Sequence, residues 1–251
     1  MQLIKNVYLI GGFPFPYTGH GYRWKLKNMY AVKGDDAIIL IDTGEDETQL
    51  GIALENLEYW GLSKYPISHV LITHSHFAHS ANAHILRKQG AKIVAGYSDA
   101  EGIEAGDDRT IGYAYTNRKK FEPCTVDIKV KDGDVVSAAG LDFTIVHVPG
   151  HSTGSVLYRL VMDGKIVLFT GDTVGVAPYC SSAKLGWTGG ADYNQDLYIE
   201  SIKKIFKMDA DIILPGDLQP CLREGWQILE CMYTEAKQKL LNQPPDLVII
   251  E

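Results

Sequence analysis

Apolar residues recur along this chain with two periods, and the way the periods alternate predicts its architecture. Stretches near 3–10, 29–33 and 37–42 read as strands, and Leu50, Ala53, Leu54 and Leu57 then recur at helical spacing, predicting a helix over 47–60. A strand over 69–73 follows. A second helix runs from about His79 through Ile85 and Leu86 to Gly90, after which Ala91-Lys92-Ile93-Val94-Ala95 returns as a strand. This is β-α-β alternation. The second half begins with strands near 126–130, 134–137 and 141–148, and Asp163-Gly164 joins 155–161 to 165–170 as a hairpin. The helix and strand theme then repeats. Ile202, Ile205 and Phe206 form one apolar helix face before the strand Ile212-Ile213-Leu214, and 224–241 reads as a last helix.

Directly after the apolar run Val70-Leu71-Ile72 stands Thr73-His74-Ser75-His76-Phe77-Ala78-His79-Ser80, with three imidazoles within six residues. Residues i and i+2 of an extended segment share a face, so His74 and His76 can reach one ion, while His79 sits past the turn. Imidazole suits zinc and other first-row metals, and three protein ligands plus water is the usual catalytic arrangement. A histidine-rich turn can also be a surface feature or a set of hydrogen-bonded core rings. What favours a site here is the company downstream: His151 in Val148-Pro149-Gly150-His151, Asp172 in Thr170-Gly171-Asp172-Thr173, and Asp217 in Leu214-Pro215-Gly216-Asp217. Each follows a strand-like apolar run and a Gly or Pro that turns the chain.

These ordered motifs resemble the metallo-beta-lactamase superfamily of binuclear metal hydrolases, which also contains glyoxalase II-type thioesterases, lactonases and phosphodiesterases. The resemblance runs from Ile39-Leu40-Ile41-Asp42-Thr43-Gly44, through the His74 motif, His151 and Gly171-Asp172-Thr173, to Leu214-Pro215-Gly216. It implies an α/β fold, a four-layer αβ/βα sandwich of two mixed β-sheets flanked by helices, in a single domain over 1–251. It also implies that His74, His76 and His151 bind one metal, that His79 binds a second, and that Asp172 bridges the two. The implied cofactor is zinc, as one or two ions, with iron and manganese as the other candidates. The implied activity is metal-dependent hydrolysis of a small ester, lactone, thioester, amide or phosphoester. There the cation lowers the pKa of water from 15.7 towards about 7, so that a metal-bound hydroxide forms at neutral pH. Asp42 is a candidate to hold the second ring nitrogen of a ligating histidine, or else a turn residue before Gly44.

Two departures from the family motif matter. The motif is His-x-His-x-Asp-His, and Ala78, which has no coordinating atom, stands at the Asp position. The last ligand, usually His after Pro-Gly, is here Asp217. Two carboxylates, Asp172 and Asp217, therefore remain available to the site. Three readings follow. Both metals bind, with His79, Asp172 and Asp217 holding the second; or only the His74/His76/His151 site fills and Asp217 relays protons; or the change at Ala78 disables catalysis. Asp172 and Asp217 are the candidate catalytic carboxylates in the first two readings.

Composition narrows the partners. A net charge of −7 argues against nucleic acid, and the densest basic run, Arg118-Lys119-Lys120, reads as a solvated face. The four cysteines, Cys124, Cys180, Cys221 and Cys231, lack Cys-x-x-Cys spacing and suit a reducing compartment. The start of the chain reads as a strand and no apolar run is long enough to span a membrane, so a cytoplasmic protein acting on a small molecule is expected. Phe13, Phe15, Tyr17, Tyr22, Trp24, Tyr179, Trp187 and Tyr193 are either substrate walls or loop packing, and Lys184 is either a carboxylate contact or solvated. The apolar run near 244–251 either closes its own sheet or joins a partner in a homodimer. An iron-dependent oxygenase or redox protein on the same scaffold, and a catalytically impaired binding protein, are the alternatives to a hydrolase.

Overall fold

The computed structural model describes residues 1–12, 27–111 and 121–241. The aromatic residues from Phe13 to Trp24, His20, the basic run Arg118-Lys119-Lys120 and the segment 244–251 lie outside them. One sheet has seven strands that follow the chain order: β1 (Gln2–Ile4), β2 (Val7–Gly11), β3 (Met29–Lys33), β4 (Ile38–Ile41), β5 (Ile67–Ile72), β6 (Lys92–Gly96) and β7 (Ile128–Val130). The pairs from β1 to β4 are antiparallel and those from β4 to β7 are parallel. Parallel neighbours need crossovers. Helix α1 (Glu47–Tyr59) supplies the first, α2 (Phe77–Ser80) with α3 (Ala83–Lys88) the second, and α4 (Tyr97–Ala105) lies in the third.

In the other sheet, β8 (Val135–Ala138), β9 (Leu141–His147), β10 (Val156–Met162) and β11 (Lys165–Gly171) form an antiparallel meander. A short ribbon of β12 (Gly175–Val176) and β13 (Ala183–Lys184) precedes helix α5 (Gln195–Ile205). Strand β14 (Ile212–Pro215) then pairs parallel to β11, and helix α6 (Gly225–Leu240) follows. Asp46 and Asn194 start α1 and α5 as side-chain caps, accepting from the amides of Gln49 and Leu197.

The alternation of side chains along the strands divides the core into layers. Ile38 and Leu40 face Leu50, Ala53 and Leu57 of α1, whereas Ile39 and Ile41 face Phe143, Tyr158, Phe169 and Leu214 between the sheets. Leu168 and Ile213 point away from that central layer, against Ile202 of α5 and Met232 of α6. Both faces of β2, β3, β4 and β14 are thus buried, which is why these strands read as unbroken apolar runs, whereas β8, at a sheet edge, alternates. The result is the αβ/βα sandwich of two mixed sheets that the motifs implied.

Local geometry changes some of the expected boundaries. The strand expected over 3–10 is two, because Asn6 adopts a left-handed φ of 64° and turns the chain between them. The helix expected from His79 to Gly90 is also two. Asn82 interrupts it, its buried amide donating to the carbonyls of Thr43 and Asp46. Helix α4 was not expected at all, since Tyr97-Ser98-Asp99-Ala100-Glu101-Gly102 offers no clear apolar period.

Two hydroxyls cross between the sheets in opposite directions. Tyr30 on β3 donates to the carbonyl of Pro215 on β14 at 2.7 Å, and Tyr158 on β10 donates to that of Ile72 on β5 at 2.8 Å. Burial pushes the pKa of both phenols well above the ordinary value, so both remain donors. These two carbonyls lie just before His74 and Asp217. Replacing Tyr158 with Phe should lower the unfolding free energy in urea by ~1–2 kcal/mol, whereas Tyr59→Phe on the exposed end of α1 should leave it within error.

Candidate metal centre

The strand end that carries the histidine motif is fixed by one carboxylate. Asp42, buried and with a left-handed φ of 61°, follows β4 and accepts the Thr73 amide at 2.8 Å and the Thr73 hydroxyl at 2.9 Å. Its Oδ2 also lies 2.7 Å from His79 Nδ1. A carboxylate only accepts, so that nitrogen carries a proton, and on the neutral ring His79 Nε2 keeps its lone pair. The Thr73 hydroxyl proton is committed to Asp42, so the 3.1 Å contact between His74 Nδ1 and Thr73 Oγ1 makes His74 Nδ1 the donor. His74 Nε2 is thereby left free as well. One aspartate selects the tautomer of two imidazoles, directly for His79 and through Thr73 for His74.

The free nitrogens converge. His74, His76 and His151 present ligand atoms within 4.8 Å of one another, and so do His74, His79 and Asp172. His74 Nε2 and His151 Nε2 are 3.2 Å apart, close to the ~3.3 Å edge of a tetrahedron with zinc–nitrogen bonds of 2.0–2.1 Å. His79 Nε2 faces Asp172 Oδ1 at 3.3 Å, yet neither atom has a hydrogen-bond partner, and His76 Nε2 is buried without one too. Buried lone pairs facing each other are costly unless a proton or a cation lies between them. The three-histidine donor set therefore fits a divalent metal ion, whereas a proton on His79 can lie between His79 and Asp172. Gly216 makes the second group compact, because a side chain there would meet His79 Cε1 at 2.6 Å and Asp172 Oδ1 at 3.0 Å.

Electrostatics separate the two groups. Burial and the neighbouring imidazoles hold His74 and His76 well below the ordinary histidine pKa. Burial also lowers His151 to about 4, so all three are neutral, as ligands must be. His79 behaves oppositely. Burial disfavours its charge, but Asp172 and Asp42 outweigh that and raise it to about 9. Asp172 is buried, and Lys27 and His79 nonetheless hold its carboxyl well below the usual range.

Lys27, which sequence reasoning passed over, reaches into this second group. Its Nζ lies 2.9 Å from Asp172 Oδ2 and 3.0 Å from Asp217 Oδ2. Asp217 belongs to neither convergent group. Its side chain is 44% exposed, its Oδ1 accepts the Leu218 amide, and Lys27 is what joins it to Asp172. Burial would lower the Lys27 pKa, but the two carboxylates raise it above the ordinary value. Of the expected site residues, His74, His76, His79, His151 and Asp172 are thus brought together, and Asp217 stands at their rim.

A second buried carboxylate was also missed. Asp99, in the first turn of α4, accepts the Ser75 amide at 2.7 Å, the Ser152 hydroxyl at 2.7 Å and the Gly154 amide at 2.6 Å. It ties the loop of His74 and His76 to the loop of His151. Only glycine fits at 154, where a Cβ would lie 2.3 Å from the Asp99 amide nitrogen. Asp192 similarly accepts the amide and hydroxyl of Thr153, and the Tyr198 hydroxyl accepts the Gly186 amide while donating to Thr173. This loop sets Trp187 edge-on to His76, with ring centroids 6.2 Å apart. Of the other expected aromatic walls, Tyr179 is 95% exposed and Tyr193 packs against Tyr198. Lys184 points to Glu235, and His69, His84 and His147 make ordinary hydrogen bonds.

Burial raises the Asp99 pKa from 3.8 to about 6 despite its three donors. A carboxyl whose pKa is raised by folding contributes stability below its unfolded value, and that contribution is lost as pH rises through the folded value. Unfolding free energies of wild type and Asp99→Asn, measured with chelator from pH 4 to pH 7, should therefore differ most at pH 4. The difference should shrink by about 2 kcal/mol towards pH 7, and a difference that grows with pH would show that Asp99 is not held this way.

Comparison with known proteins places this geometry in a family. The chain is 27% identical over 168 residues to the human acyl-coenzyme A thioesterase MBLAC2, covering 59% of this chain and 58% of that protein. It is 30% identical over 138 residues to a hydroxyacylglutathione hydrolase of Maricaulis maris, covering 53% of this chain and 44% of the relative. The chain thus spans about half the length of the curated relatives it matches. Its fold superposes on BJP-1, a subclass B3 metallo-beta-lactamase of Bradyrhizobium japonicum, with a TM-score of 0.72 at 24% identity, covering 97% of this chain and 92% of the other. None of the described helices is long and apolar enough to cross a membrane. The family model of the metallo-beta-lactamase superfamily matches residues 22–217, most of the chain, and the protein belongs to that superfamily.

Proposed function

We propose that this protein is a metal-dependent hydrolase of acyl thioesters. The observation that carries the reading is the convergence of His74, His76 and His151 at strand ends, beside a position where a carboxylate is missing. A divalent cation held by these three histidines supplies Lewis acidity to a carbonyl oxygen and lowers the pKa of water. Everything else depends on how the chain handles the leaving group. In the family pattern the motif carboxylate assists its protonation, and Ala78 cannot.

Leaving groups differ in how much they need that help. An amine or alkoxide must be protonated as it departs, whereas a thiol with a pKa of about 8.5 leaves readily as a thiolate. A site without the motif acid is therefore best matched to a thioester. The names of two relatives point the same way, one an acyl-coenzyme A thioesterase and the other a hydroxyacylglutathione hydrolase. Trp187 beside His76 offers an apolar wall for an acyl or thiol moiety. Asp217, at the rim and partly open to solvent, is the remaining carboxylate able to hold and deliver a proton.

Two measurements test this. Protein purified without added metal should contain zinc or another first-row ion, and should hydrolyse an acyl-coenzyme A or acylglutathione at least about tenfold faster in kcat/KM than the matching oxygen ester. Chelation should abolish the activity. Metal-loaded protein that turns over phosphodiesters or oxygen esters but not thioesters would refute the assignment. Asp217→Ala should lower kcat/KM by about 10²-fold on an oxygen ester and by about tenfold or less on a thioester, because only the first substrate depends on a general acid.

A further inference from the structure

We propose that Lys27 stands in for the second metal ion, so that this chain builds a centre for one metal on a scaffold laid out for two. The inference rests on the metal-centre reading above and concerns how many ions the centre takes. A second ion in the implied arrangement would be held by Asp172 and by the residue after Pro215-Gly216. Here both of those positions are carboxylates, and both are already bonded to one ammonium, at 2.9 and 3.0 Å.

The ammonium is a built feature rather than a side chain that happened to fall there. The Lys27 carbonyl accepts the Gln49 amide group at 2.6 Å, and Gln49 is itself fixed by its cap to Asp46. The next residue, Asn28, donates its backbone amide to Gly216 and its side-chain amide to Pro215 and Leu218. The backbone around Lys27 is therefore pinned to the loop that carries Asp217. With 18% of its side chain exposed, Lys27 projects from that anchor into the cluster.

The substitutions around it form a consistent set. Ala78 removes one ligand of the second ion and is buried among apolar residues instead. Asp217 replaces an imidazole, which cannot pair with an ammonium by charge, with a carboxylate that can. Among the described residues, His79 and Asp172 remain convergent at that position, joined by the shared His74. Two protein ligands beside a resident positive charge make a poor site for a dication, while the three-histidine site stays intact.

The test is metal stoichiometry. Wild-type protein, Lys27→Met and Lys27→Ala are stripped with chelator and equilibrated against micromolar zinc. Bound zinc is then counted by inductively coupled plasma mass spectrometry, and melting temperature is read with and without the metal. Wild type is expected to hold one ion, and the variants two, with the second equivalent bound about 100-fold more tightly than in wild type. Zinc should also raise the melting temperature of Lys27→Met more than that of wild type. Two ions in wild type would overturn the proposal while leaving the metal centre standing. One ion in wild type and in both variants would overturn it too, since Lys27 would not be what excludes the second. No zinc in any of them would refute the metal centre itself. Should a variant fail to fold, the wild-type count still decides between one ion and two.

Discussion

Three buried carboxylates govern the edge of this sandwich where the two sheets open. A carboxylate taken out of water must be matched by donors or cations, and in each case the match organises the chain around it. Asp42 gathers Thr73 and His79, and thereby sets which ring nitrogens of His74 and His79 keep their lone pairs. Asp99 collects donors from both ligand-bearing loops and holds them at one separation. Asp172 meets cationic or cation-seeking groups on both of its oxygens, His79 on one and Lys27 on the other. The positions of the histidines follow from these demands together with the two tyrosine hydroxyls that lock the strand ends.

The same constraint explains how the site could change without losing the fold. Removing a carboxylate at position 78 relieves the cluster of one negative charge, and the methyl group of Ala78 packs into the apolar layer with Phe77. Placing Asp217 at the rim restores a charge farther from the histidines, where solvent reaches it and Lys27 offsets it. Neither change disturbs Asp42 or Asp99, which act on the other side of the imidazoles. The supports of the three-histidine group are thus independent of the position that differs from the family pattern.

Much of this was legible in the sequence. Apolar runs followed by His or Asp marked His74, His76, His79, His151 and Asp172 as ligand candidates, because the end of a strand is a local signal, and the resemblance to the metallo-beta-lactamase superfamily implied that they share one centre. The layered sandwich followed from the same motifs. What stayed hidden were the residues whose importance is purely spatial. Asp99 sits in a helix with no apolar period, Lys27 is far along the chain from its partners, and Tyr30 and Tyr158 look like any other strand aromatics. Sequence reasoning also placed Asp217 by motif alone. In the structure it stands outside both convergent groups, and its bond to Lys27 depends on Asn28 and Gln49, which no local pattern connects to it.

On the proposed reading, a site with one Lewis-acidic ion, a resident ammonium and no motif acid has a narrower range of chemistry than the scaffold allows. The limitation lies in the transition state, where negative charge builds on the leaving atom and must be protonated, dispersed or tolerated. Sulfur tolerates it. Lys27, bonded to Asp172 and Asp217, also places positive charge near the reacting centre without consuming a coordination position, which favours substrates that develop negative charge there. The departures at Ala78 and Asp217 and the placement of Lys27 thus bear on one property, the charge carried by the departing group, and this is the link between the proposed single-ion centre and the proposed thioester substrates.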